Sequence, residues 1–390
     1  MHQGKYVFSQ IMEFVRRYDF DRCVARYRGE YWVKHFSCWE QFLALTFGQL
    51  SFRESLRDIA VCLGAHREKL YHLGFRSSLV RTTLAYANEN RDWRIYRDYA
   101  ELLITEARTL YANDPSFNCE LNGVVYVLDS TTIELCLTLF SWARIASERA
   151  TLKLHMGLDL KGDIPAFFHI SDGKYSDVNY LDLLEYEAGA YYVVDRGYID
   201  FTRLFRIHEA RAFFVTRSRK DIRWKRLYSR PVDKQTGIRC DQIVRLSTSD
   251  GRKHYPETFR RIKYFDALTN HTYVYFTNDC TSSATTIAEL YKHRWRIELF
   301  FKWIKQHLSI KVFWGRSMNA VKTQICVALC AYLLVAIMKK KLNIERNSYE
   351  ILQILSVSLF DKKPMIQLIS EFVLPESDDH IEKQATLWEF

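Results

Sequence analysis

The sequence predicts an α/β chain whose sheet core is interrupted by a β-rich insertion and framed by helical N- and C-terminal regions. Three observations carry that prediction. Two β-branched and aromatic runs, 124–128 and 191–194, each close on an aspartate, Asp129 and Asp195. Helical patterning alternates with such runs across the middle of the chain. Between residues 217 and 272 the alternation gives way to short segments of basic and apolar residues, as in Ile243, Val244, Arg245 and Leu246.

Residues 1–112 read as a helical N-terminal region suited to binding DNA. Ser51 and Glu54 match a capping box, which predicts a helix over 52–63 broken at Gly64 and another from about His66. Two helices meeting at a glycine fit a helix-turn-helix or ordinary bundle packing equally well. Arginines are frequent here: Arg16, Arg17, Arg22, Arg26, Arg28, Arg53 and Arg57.

The first part of the core spans 113–216. It holds the strand ending at Asp129, strands over 153–159 and 166–171 joined by a turn at Gly162, and a helix over 178–188. The strand ending at Asp195, a helix over 201–209 and a strand over 212–216 complete it. The insertion spans 217–272 and opens with seven Lys or Arg residues in the fourteen positions from Arg217 to Arg230, interleaved with Trp224 and Tyr228. Basic residues with aromatics between them suit a phosphate backbone, so Arg217, Arg219, Lys220, Arg223, Lys225 and Arg226 are candidate DNA contacts. The core resumes over 273–319 with a strand over 272–276 and a long helix over 284–307, capped by Ser283. Residues 320–390 form a helical extension, peripheral at its end. Its most apolar run, 325–338, is too short to span a bilayer and predicts a core helix.

Composition narrows the function. In 390 residues, 56 Lys and Arg outweigh 46 Asp and Glu, for a formal charge of +10. A basic surplus on a chain this size points to a polyanionic partner. Nine scattered cysteines without a C-x2-C pair argue against a disulfide framework or a zinc site, and fit a reducing cytoplasm. No apolar signal core follows the N-terminus, and no membrane role is expected.

Asp129 and Asp195 would sit at the edge of a sheet, where ligands bind in open α/β folds. A third acid, Glu298, belongs to the pattern Y-x2-R-x3-E-x6-K formed by Tyr291, Arg294, Glu298 and Lys305. On one continuous helix these four fall within an arc of roughly 60°, with Lys302 between them. Transfer of a phosphodiester calls for two hard cations held by carboxylates, and for cations of the protein's own to hold phosphates. That combination is what these residues offer.

The pattern resembles the signature of the bacterial insertion-sequence 4 transposases, a cut-and-paste DDE family. Asp129, Ser130, Thr131 and Thr132 look like that family's first-aspartate motif, and Asp195, Arg196, Gly197 and Tyr198 like its second. The resemblance implies an RNase H-like catalytic core with a β-rich insertion between the second aspartate and the glutamate. It implies that Asp129, Asp195 and Glu298 bind two Mg²⁺ ions, which Mn²⁺ can replace, and that Tyr291, Arg294 and Lys305 contact phosphates near the element end. The implied partners are double-stranded DNA, both terminal inverted repeats and target, and a second copy of the chain when two ends are paired. Some members trap a flipped base on a tryptophan of the insertion, for which Trp224 lies early. The rival readings are another RNase H-like endonuclease and a catalytically silent DNA-binding descendant of a transposase.

Overall fold

The computed structural model describes residues 4–370 except 115–116, 118–120, 122, 136–139, 141–143, 146–148, 309 and 311. Its chain opens with six helices: α1 (Val7–Met12), α2 (Arg17–Arg26), α3 (Cys38–Leu50), α4 (Leu56–Ala65), α5 (Arg81–Asn90) and α6 (Arg94–Tyr111). Strands β1 (Val125–Leu135), β2 (Arg144–Ile145), β3 (Arg149–Asp159), β4 (Ile164–Asp172) and β5 (Tyr191–Val194) follow. Then come α7 (Phe201–Glu209), β6 (Phe213–Arg217), β7 (Trp224–Arg230), β8 (Ile238–Leu246), α8 (Ser249–His254), β9 (Phe259–Asp266) and β10 (His271–Thr277). Helices α9 (Ala284–Lys292), α10 (Trp295–His307), α11 (Met318–Lys341), α12 (Ser348–Ser358) and α13 (Met365–Ser370) close it.

The sheet explains why the aspartates matter. β1 pairs antiparallel with β3 and β3 with β4, while β1 pairs parallel with β5 and β5 with β6. The order β4-β3-β1-β5-β6, with three antiparallel strands leading into two parallel ones, is the RNase H-like arrangement. The insertion does not stand apart as a subdomain. β7, β8 and β9 form an antiparallel meander that joins the core through β9 and β10, so one ten-stranded sheet runs through both. The reason is β10, which pairs with β9 on one side and β6 on the other and leaves no edge at the boundary.

Successive residues of a strand point to opposite faces. Val127 and Val193 face a large core shared with the N-terminal helices, α10 and α11; Tyr126, Leu128, Tyr192 and Val194 face a smaller one covered by α7. α11 runs through the large core against α3 and α6. The apolar run expected to be short is thus part of a 24-residue helix, long and apolar enough to cross a membrane yet mostly buried within the fold.

Several boundaries differ from expectation. Ser51 ends α3 instead of starting a helix, because Phe52 takes a left-handed φ of 53°. Ser55 caps α4 by accepting from the Asp58 N–H, and the capping box closes at Ser37 and Glu40. After α4 comes a 3-10 turn, Arg67–Leu73, so the second helix of a helix-turn-helix is not formed there. Residues 178–188 likewise hold a 3-10 turn, Asp177–Leu183; Asp182 is drawn to Arg203 and Arg206 and the chain goes extended at Leu184. The helix expected over 284–307 is broken at His293 and Arg294. Cys119, Cys136 and the end of the C-terminal extension lie outside the described residues.

Candidate active site

β1 does not stop at Asp129, as its apolar run suggested, but continues to Leu135. What stops is its pairing with β5, at Leu128 opposite Val194. Asp129 and Asp195 are the next residues on two adjacent parallel strands, whose backbones run about 4.8 Å apart. Both follow the residues directed at the smaller core, so both side chains point to the face covered by α10. There the chain of β5 turns away through a 3-10 turn, Arg196–Tyr198, and a notch opens in the sheet.

α10 seats over that notch because Ile297, Phe300, Phe301 and Ile304 are buried in the large core. Glu298 and Lys305 therefore look back at β1. The break before α10 reorients Tyr291 and Arg294. Arg294 donates its backbone N–H to Tyr291 O and Arg296 donates to His293 O, three residues back instead of four.

The side chains converge through Arg294. Its guanidinium lies 2.5 Å from Glu298 Oε1 and 3.5 Å from Asp129 Oδ2. Tyr291 donates its hydroxyl to Asp195 Oδ1 at 3.2 Å. Lys305 donates to the Thr132 carbonyl at 2.9 Å, on the stretch of β1 that β5 leaves unpaired. Neither aspartate spends its carboxylate on capping: Asp195 precedes the 3-10 turn without a side-chain cap, and Asp129 Oδ1 accepts the Ser130 N–H at 2.8 Å. Asp129, Ser130, Thr131, Glu298, Phe301, Lys302, Lys305 and Gln306 line an open cleft of about 480 Å³.

Burial pushes the Asp129 carboxyl up to about 6; the Ser130 N–H and Arg294 oppose that rise, and the charges of Glu298 and Asp195 add to it. Asp129 thus feels both of the other acids, and three carboxylates face one guanidinium. The donor set suits a hard divalent cation, all carboxylate oxygen. Among the described residues, no three His, Cys, Asp or Glu side chains are gathered closely enough to hold a metal as they stand. Arg294 occupies the gap between two of them.

Residues 121–334 match the family described as the transposase DDE domain, and residues 3–76 match a domain family of unknown function. The chain belongs to the DDE transposase family. It is 34% identical over 258 residues to a putative transposase of Sinorhizobium fredii, covering 65% of this chain and 70% of that one. It is 32% identical over 211 residues to a probable insertion-sequence transposase of Geobacillus stearothermophilus, covering 54% of this chain and 55% of that one. Among solved structures it resembles piggyBac transposase in a synaptic complex with hairpin DNA, with a TM-score of 0.46 and 10% identity over 93% of this chain and 79% of that one. The protein is therefore a DNA transposase, and enzymes of this family normally work with divalent metal ions.

The transposase distributes the other residues singled out in the sequence over two places. Lys302 is exposed at the mouth of the cleft. Arg217 lies over the Tyr273 ring at 4.9 Å, at the start of a run in which Tyr273 stacks near Tyr275 and Tyr275 near Tyr291. Arg219, Lys220, Arg223, Lys225 and Arg226 are exposed on the turn after β6 and along β7, the outer strand of the sheet. Trp224 is held beneath the Arg261 guanidinium at 4.4 Å.

From the sequence, Lys153 and His155 could face the site, but Asp177, which completes a brace behind Asp129, was missed. Ser130 donates its hydroxyl to Asp177 at 2.8 Å, and Lys153 donates to the same carboxylate oxygen at 3.0 Å. Asp177 reads as a turn former in the sequence. Only the pairing of β1 with β3, which sets Thr132 opposite Lys153 and Ser130 opposite His155, brings these residues together.

Proposed function

We propose that the transposase is of the insertion-sequence 4 type, cutting the ends of its element and joining them to target DNA. In this reading Asp129, Asp195 and Glu298 hold two Mg²⁺ ions, with Mn²⁺ able to substitute. Tyr291, Arg294, Lys302 and Lys305 hold the phosphates of the element end, and the insertion's arginines and lysines follow the duplex backbone. The observation that carries the reading is the register of β1 and β5. It sets two aspartates side by side where the ladder ends, beneath a helix whose inner face presents a glutamate, an arginine and a lysine.

Divalent ions bound there would stabilise the charge on the entering and leaving oxygens of the phosphodiester. The protein's own groups have separable tasks. Arg294, once released from Asp129 and Glu298, offers a planar fork that matches a phosphate. Lys305 and Lys302 extend that positive edge along the cleft, and the Tyr291 hydroxyl has one hydrogen bond to offer a phosphate. Two copies of the chain pair the two ends, in the cytoplasm beside the nucleoid.

The test is end cleavage. Purified protein with Mg²⁺ and DNA bearing the inverted repeats that flank its gene should nick at the element boundary and then give joined product. Cleavage indifferent to the element ends would overturn the reading in favour of a general nuclease. A protein that bound the ends without cutting under any divalent ion would overturn it in favour of a silent descendant.

A further inference from the structure

The part of the molecule farthest from this chemistry in the sequence carries a surface with no role so far. Between α2 and α3 the chain crosses residues 27–37, and two neighbouring aromatic rings stand out from it. Trp32 is 83% exposed and Tyr31 62%. Their rings meet edge to face with centroids 5.1 Å apart, and the Arg28 guanidinium lies 5.3 Å from the Tyr31 ring. On the outer face of α2, Tyr18 is 75% exposed and shares its ring with Arg22.

Large aromatics normally bury. Here the backbone holds them out. Arg28 and Trp32 have φ of 53° and 62°, a left-handed conformation that bulky residues rarely take and that persists only where surrounding contacts impose it. Those contacts are present. Gly29 donates its N–H to Val24 O and accepts from Cys38 Sγ, Glu30 Oε1 accepts the Cys38 N–H at 2.6 Å, and Arg91 donates to the Phe36 carbonyl. A side chain at Gly29 would meet Ile95 and Cys38 below 3.0 Å, so the loop is clamped at its base. The rings are therefore displayed on a fixed support.

The charge around them selects the partner. Arg28 and Lys34 are exposed and have no ion-pair partner among the described residues. The acids nearby are already engaged, Asp21 with Arg17 at 2.8 Å, Asp19 with Arg22 at 3.8 Å and Glu30 with the Cys38 N–H. Flat rings interleaved with exposed cations match bases and phosphates; the same side chains also populate protein interfaces, which makes self-association the competing outcome of the test.

We propose that the loop carrying Arg28, Tyr31, Trp32 and Lys34, with Arg22 and Tyr18 beside it, is a second DNA contact of the transposase. Arg28 and Lys34 engage phosphates, and Tyr31 with Trp32 stacks on an exposed base face. The inference rests on the transposase's action on DNA, and gives its N-terminal region a defined contact surface.

Two paired variants test it, measured by fluorescence anisotropy on a labelled duplex of about 40 base pairs with a short single-stranded overhang that exposes base faces, with EDTA present so that the DNA stays uncut. Tyr31→Ala with Trp32→Ala should weaken binding at least about fivefold without changing its salt dependence, because stacking releases no counterions. Trp32→Phe should recover most of that loss. Arg28→Gln with Lys34→Gln should lower the salt slope by about 1.8. Unchanged melting temperatures would show that the variants fold, as the exposure of all four side chains predicts. Wild-type affinity in both pairs would overturn the inference while leaving the DNA reading intact. So would a change confined to self-association, which would make the loop a protein interface. Failure of the wild-type protein to bind the duplex at all would overturn both.

Discussion

Of the arginines that hold carboxylates in this molecule, two do so in opposite ways. Arg260 is 2% exposed and Asp241 6%, and the pair closes through two hydrogen bonds of 2.8 and 2.6 Å. Arg260 Nη1 donates to the carbonyls of Asp279 and Ser282. Arg294 instead lies 2.5 Å from one acid and 3.5 Å from another, its side chain 17% exposed, with a third acid close enough for Asp129 to feel. The first arrangement is complete and ties β8 and β9 to the segment before α9. The second is a cation holding apart carboxylates that have more charge than it can neutralise. A finished ion pair stabilises; an unfinished one is available for chemistry.

The largest effect should come from emptying the unfinished site. Asp129→Asn, Asp195→Asn and Glu298→Gln each keep shape and lose the charge that holds a divalent ion. End cleavage should fall by about a thousandfold or more, with the melting temperature unchanged or slightly raised as the acid crowding is relieved. Near-normal cleavage in any one of them would remove that residue from the site.

Arg260 should show the reverse. Arg260→Ala leaves Asp241 buried and uncompensated, a change that costs about 3–5 kcal/mol. Chemical denaturation would register it, and protein that remains folded should still cut. If Arg260→Ala were stable but inactive, the contrast between the two arginines would fail.

A third change separates two roles for Arg294. It stands where a cation is needed and is also shaped for phosphate. Arg294→Ala should reduce cleavage roughly ten- to a hundredfold, the value of one lost charge-assisted contact. It should also lower the Mg²⁺ concentration needed for half-maximal cleavage, because the ion no longer displaces a guanidinium. Lys305→Ala should reduce cleavage without shifting that requirement. A raised Mg²⁺ requirement in Arg294→Ala would mean that the arginine organises the acids instead of competing for them.

The brace behind Asp129 adds a pH dependence. Burial pushes the His155 imidazole down to about 4, with Asp177 opposing that shift and His169 and Lys153 adding to it. The folded state thus keeps His155 neutral while the unfolded chain takes up a proton below about pH 6.5. Stability is full above that value and falls by about 1.4 kcal/mol per pH unit down to about pH 4, where the loss levels off. His155→Gln should flatten that part of the stability profile; an unchanged profile would show that other groups set it.

The contrast also explains what could be read from the sequence. Asp195 was legible because a buried run ends on it, and Glu298 because a helical pattern gathers charged residues on one face. The chain break at His293 and Arg294 was not, since neither is glycine or proline and both keep right-handed helical angles. Asp177 was invisible because its role depends on a strand pairing that spacing cannot encode. Trp32 was hidden for a simpler reason, as aromatic residues default to the core. The Arg217 to Arg230 segment was legible as basic, but its fusion to the main sheet depends on β10 pairing on both sides.

The smallest expected effect concerns a third kind of arginine, one that holds no carboxylate among the described residues. Arg223, Lys225 and Arg226 are exposed at and along β7, whose outer edge no other strand of the sheet covers. An edge strand bearing cations resists pairing with another chain, which alone would account for them. DNA contact makes a further demand, that each cation displaces counterions from the duplex. Changing all three to Gln should then lower the slope of binding against salt by about 2.7, at roughly 0.9 per phosphate contact. The melting temperature should stay where it was, since solvated charges contribute little to stability. A slope that does not move, together with new self-association, would assign the segment to guarding the sheet edge. A slope that falls without self-association would make β7 part of the path that leads DNA to Asp129, Asp195 and Glu298.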